Sequence, residues 1–178
     1  MRRFWLVSIF AALASPALAT SIEAPLEPAA QGKVQCYVPN AASKTCASMS
    51  SYRIGEDGAL EVVSTTLLAP KPQIIMETTS TVQIKEGRVC GIIQLRDMAV
   101  ASFTVDGKPA GEQQTYRLRD KVEELFQVLA DREACTTYLP DGAALMAKHS
   151  LDGVEKPKLD QVVTWVSPED GFKVGAPQ

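Results

Sequence analysis

From about residue 48 to 105 apolar and polar positions alternate in short runs, the period-two pattern of strands with one buried face. Ser48 to Ile54 and Ala59 to Leu68 flank Gly55-Glu56-Asp57-Gly58 as a hairpin. After Pro70-Lys71-Pro72 comes Ile74 to Lys85, which ends in the clean alternation Thr81-Val82-Gln83-Ile84-Lys85. Arg88 to Leu95 and Met98 to Val105 complete an antiparallel meander of about five strands. Tight-turn dipeptides separate or end these runs: Asp57-Gly58, Glu86-Gly87, Asp106-Gly107, Asp141-Gly142, Asp152-Gly153 and Asp170-Gly171. Glycine enters positive φ without a Cβ clash, so Asp-Gly between alternating segments predicts hairpins.

The period then lengthens. Between Gln113 and Arg132 the apolar residues Leu118, Val122, Leu125 and Leu129 recur at spacings of four, three and four, with charges on the other positions. That spacing puts one apolar stripe on a helix, and no Pro or Gly interrupts it. Strands resume at Cys135 to Leu139, Ala143 to Leu151 and Gln161 to Val166. The predicted fold class is α+β: an antiparallel β-meander sheet with one long amphipathic helix packed on a face. A single domain is expected over residues 33–174, with 175–178 as a tail. A small outer-membrane barrel is the competing fold. The charged helix in mid-chain and an aromatic content of 6% argue against it.

The N-terminus changes where such a domain would work. Met1-Arg2-Arg3 is a positive head, Phe4 to Ala14 an apolar run, and Ala17-Leu18-Ala19 a small-x-small cleavage site before Thr20. Together they predict a cleaved signal peptide over residues 1–19. The apolar run is well short of the roughly twenty residues a membrane-spanning helix needs, so no transmembrane segment is expected in the mature chain. Residues 20–32 carry Pro25 and Pro28 and no apolar period, and read as a flexible leader. The predicted localisation is export, to the periplasm or the medium.

Export bears directly on the four cysteines, Cys36, Cys46, Cys90 and Cys135. An even number in an oxidising compartment predicts two disulfides. Of the three pairings the favoured one is Cys36–Cys46, closing a loop of turn formers, with Cys90–Cys135 tying a strand to the segment beyond the helix. No Cys-x-x-Cys pair suggests redox chemistry, and with a single histidine no zinc spacing exists. No metal and no cofactor are expected. The formal net charge of -3 becomes more negative once Arg2 and Arg3 are removed with the signal, which argues against nucleic acid as a partner.

Candidate chemistry is sparse. His149 is a weak candidate for catalysis; on a strand it shares a face with Leu145, Ala147 and Leu151, and Asp152 or Glu155 reaches it only by folding back. No nucleophile elbow, phosphate loop or dinucleotide fingerprint is present. Trp165, Tyr52, Tyr116 and Tyr138 are candidate recognition aromatics, with Trp165 read as core. Thr65 to Pro72 and Thr78 to Thr81 offer polar strand faces that a second chain's edge would fit. The expected function is a non-enzymatic binding or accessory role in the cell envelope, with a small ligand or an envelope protein as partner. One alternative is an envelope-directed hydrolase using His149 and a carboxylate. A second is an interaction protein acting through a sheet edge. Sequence leaves ligand and oligomeric state open.

Overall fold

A computed structural model describes residues 22–176. The predicted signal peptide lies outside the described residues. Eight strands account for the framework: β1 (Val34–Tyr37), β2 (Ser48–Ile54), β3 (Leu60–Pro70), β4 (Gln73–Lys85), β5 (Arg88–Ile92), β6 (Glu133–Asp141), β7 (Ala144–Leu151) and β8 (Gln161–Val166). Each pairs antiparallel with the next in the chain, and β8 returns to β1 with Val34 opposite Val166 and Tyr37 opposite Val163. The sheet is therefore a closed eight-stranded barrel. This corrects the expected α+β fold, an open meander with a long helix covering one face. A closed sheet hides its apolar face inside itself and needs no helix to cover it.

The helix is also shorter and differently placed. It is α3 (Glu112–Phe126), preceded by α1 (Glu27–Ala30) and by α2 (Leu95–Ala99). Met98 and Ala99, expected at the start of a strand, belong to α2; the strand begins at Ser102 and pairs with Ile74 to Glu77 of β4. The whole stretch from Ile93 to Arg132 is an insertion between β5 and β6. Its own core joins Met98, Ala101, Phe103 and Val122 to Met76 on the barrel wall. The Arg119 guanidinium fastens α3 by donating twice to the Ala101 carbonyl, at 3.0 and 2.8 Å.

Turn chemistry sets the hairpin register. Asp106-Gly107 and Asp152-Gly153 have positive φ at both central residues, 49° and 76° in the first and 50° and 76° in the second. That is the primed turn whose twist matches paired strands. Both disulfides form. Cys36–Cys46 lies on the barrel's outer side in a cluster with Val34, Met49, Val166 and Phe172, and Cys90–Cys135 bridges directly opposed residues of β5 and β6. Residues 22–32, expected as a flexible leader, turn instead through α1, and Leu26 is completely buried. Among the described residues no helix is long and apolar enough to cross a membrane.

Candidate functional site

Strand alternation and register decide what faces the lumen. Gln35 stands opposite Ser50, Ser50 opposite Ser64 and Ser64 opposite Thr78, so one inward layer is polar across four neighbouring strands. Gln35 is fully buried, while Ser50 and Thr78 are nearly so. One step along, the same face carries Tyr37 on β1, Tyr52 on β2 and Tyr138 on β6.

These side chains meet. The Oε1 of Gln35 accepts from the hydroxyls of Tyr37 and Tyr52 at 2.9 Å each and of Tyr138 at 3.1 Å, and the Tyr37 and Tyr138 hydroxyls lie 2.8 Å apart. A carbonyl oxygen offers two lone pairs, so three phenols crowd one acceptor. The Nε2 of the same amide is buried and has no hydrogen-bond partner. A buried donor left unpaired costs roughly 1–3 kcal/mol. Trp165, the inward neighbour of Gln35 across the β8–β1 pair, lies with its ring 6.4 Å from that of Tyr52.

The three tyrosines border a cavity of about 230 Å³. Ser50, Ser64, Ser80 and Thr136 add hydroxyls to its wall, and Val62, Val82, Val89, Ile93, Met98 and Phe126 make the remainder apolar. Met98 and Phe126 come from the insertion, which thus closes part of the lumen. The cavity reaches the surface at one seam. Residues 78–82 of β4 have a strand neighbour on the β3 side only, because β4 pairs with the Ser102–Val105 strand before them and with β5 after them. Thr81 and Val82 on one lip, and Gly91 to Gln94 on the other, line the opening. The lips come close at Gly91, where a Cβ would lie 3.1 Å from the Thr81 carbonyl oxygen and a neighbour would have to shift to admit it.

Burial in the barrel pushes the Tyr37 and Tyr52 phenols well above their ordinary value of 10.0, with repulsion from Tyr138 as the next cause. Both stay protonated donors throughout the neutral range. The sign of the stability effect follows: the unfolded chain releases these protons near pH 10 and the folded one holds them, so stability is full below pH 10 and falls above it. Alkaline titration should therefore show phenolate absorbance from these two residues only together with loss of the barrel's circular dichroism.

His149 faces inward beside Thr136, and Lys148 points outward to Asp160 at 2.8 Å. Asp160 also accepts from the His149 backbone N–H, while the ring Nδ1 has no partner. Asp152, one suggested helper, is engaged by the Arg132 guanidinium at 2.7 Å and the Glu133 N–H at 2.9 Å. No carboxylate orients the imidazole, and no nucleophile stands beside it among the described residues. Burial lowers its pKa below the usual 6.5, opposed by the nearby Asp160 charge. The unfolded chain then takes up a proton near pH 6.5 that the folded one refuses, so stability should decline as pH drops below 6.5. His149→Gln should flatten that limb of a melting-temperature profile.

Of the sequence-stated recognition aromatics, Tyr52, Tyr138 and Trp165 converge in the barrel, whereas Tyr116 stands exposed on α3. Gln35 and Tyr37 belong to no motif; their one local signal is the short run Val34-Gln35-Cys36-Tyr37, whose polar positions share a strand face. A larger groove of about 540 Å³ lies on the barrel's outside, floored by Val34, Met49, Val63 and Ile75, and no unpaired buried polar atom marks it. Cys90, Cys135 and Glu133 approach one another, but both sulfurs are consumed by the disulfide, which leaves no thiolate for a metal. Compared with known proteins, the chain matches no family model, no curated protein and no solved structure.

Proposed function

We propose that this is an exported, disulfide-stabilised binding protein without catalytic activity, which holds a small molecule inside its barrel. The observation that carries the reading is Gln35: a wholly buried amide whose oxygen gathers three tyrosine hydroxyls at the edge of a cavity, while its nitrogen lacks a partner. Closed eight-stranded barrels either fill with side chains or enclose one small ligand. Here the side chains stop short of filling the lumen, and an opening at residues 78–82 leads inside. Charged residues such as Glu77 and Lys148 stand exposed on mid-strand outer positions, which suits a barrel surrounded by water better than one in lipid. Export rests on the N-terminal pattern, and the two disulfides fit an oxidising compartment.

The test is native mass spectrometry of the protein purified gently from its own envelope extract, with a second spectrum after denaturation without reductant. Cleavage after Ala19, a mass short of the reduced chain by four hydrogens, and an adduct lost on denaturation are the expected results. A full-length chain overturns export. A bare protein that stays bare after incubation with envelope extract overturns ligand binding.

A further inference from the structure

We infer that the lumen selects an uncharged, ring-sized molecule carrying a hydrogen-bond acceptor at one end, which it takes in between β4 residues 78–82 and the Gly91–Gln94 turn. The inference deepens the ligand-binding reading and rests on it. Three features of the wall fix the class.

Charge comes first. Every residue lining the cavity is neutral: neither Lys, Arg, Asp, Glu nor His contributes to it. A charged ligand would lose its hydration with nothing to pair with, a penalty far larger than a few hydroxyls repay. Polarity is second, because the wall is mixed: Ile93, Met98 and Phe126 add apolar surface from the insertion side, while Tyr37, Tyr52 and Tyr138 bring a cluster of hydroxyls. Behind those hydroxyls the Gln35 Oε1 is over-subscribed, accepting from all three. An acceptor arriving at the tyrosines takes one phenol proton and relieves that crowding. Size is third. An apolar cavity of about 150 Å³ takes one benzene ring, so about 230 Å³ accommodates a ring with a short polar substituent.

The experiment titrates the mature, oxidised protein with four probes of one shape: acetophenone, ethylbenzene, benzoate and benzylamine. Binding is read by the emission of Trp165, the single tryptophan beyond the signal region, and by the melting temperature. Acetophenone is expected to bind at least tenfold more tightly than ethylbenzene, with the two ions weakest. Tyr52→Phe should erase the advantage of acetophenone and leave ethylbenzene unchanged; if that variant fails to fold, Tyr138→Phe serves in its place. Equal binding of acetophenone and ethylbenzene overturns the acceptor rule and leaves lumen binding intact. Tightest binding of benzoate or benzylamine overturns neutrality. If no probe binds while the native sample carries an adduct, the ligand class is wrong but the lumen reading stands. No probe bound and no adduct means that both fail.

Discussion

Replacing Cys90 and Cys135 together by serine is expected to lower stability by about 4 kcal/mol, the chain-entropy value for a cross-link spanning 45 residues. Typical domains have only about 5–15 kcal/mol in total, so the urea midpoint should fall steeply. The position of this bond explains why it matters more than its neighbour. Cys90 and Cys135 face each other on β5 and β6, the two strands that the insertion separates in the chain. Without the cross-link, some forty intervening residues, a helix pair and an outer hairpin among them, are free to hold those strands apart in the unfolded state. Cys36–Cys46 closes a span of 10 residues, and its loss should cost about 3 kcal/mol on the same scale. Equal effects from the two double substitutions would count against this account.

Gln35→Leu should cost roughly 3 kcal/mol, because it leaves phenol hydroxyls inside the barrel without their acceptor. Leucine matches the volume and removes the unpaired nitrogen, so a neutral or stabilising outcome requires that the hydroxyls re-pair among themselves. Their mutual distances of 2.8 and 3.3 Å allow that for part of the set. A double cycle with Tyr52→Phe separates the cases. If the amide–hydroxyl contacts carry the loss, the two changes together cost less than their sum. Strict additivity would show that Gln35 acts by packing alone. The same variant should keep or widen the preference for acetophenone over ethylbenzene, because phenol hydroxyls left without Oε1 are free to donate to the ligand.

The local signals in this chain were dependable where the cause of structure is local. The strands from Ser48 to Ile54 and Gln161 to Val166 lie where alternation puts them, and Asp106-Gly107 and Asp152-Gly153 form primed turns because the two residues at each tip set the twist. Of the stripe Leu118, Val122, Leu125 and Leu129, the first two do face the core together with Phe126, whereas Leu125 is exposed and Leu129 lies past the end of α3. Closure had no such local cause. The seam joins Val34 to Val166 across well over a hundred residues, and one of its strands, Val34–Tyr37, is four residues long with a glutamine inside. Read as an open sheet, the chain requires a covering helix, and the apolar stripe of α3 fits that duty. Leu26 is hidden for a related reason: Pro25 and Pro28 mark its segment as irregular, yet an irregular segment still packs. The site was half legible. Tyr52 and Tyr138 stand out as candidate recognition aromatics and Trp165 as a core residue, but only the barrel register brings them to Gln35, which no motif distinguishes.

Next-neighbour pairing around the ring also dictates an order of events in folding. Seven of the eight strand pairs join strands consecutive around the ring, each leaving one edge open for the next, although β5 and β6 must first close over the insertion. The eighth, β8 on β1, waits until the last strand is present, so the slowest step belongs to the contact with the greatest loop-closure entropy. Until it forms, β1 and β8 both expose unpaired backbone, and a chain cut short before Gln161 keeps two such edges permanently. A truncated or stalled molecule is therefore driven toward self-association at the same seam that makes the intact one monodisperse in its strand pairing.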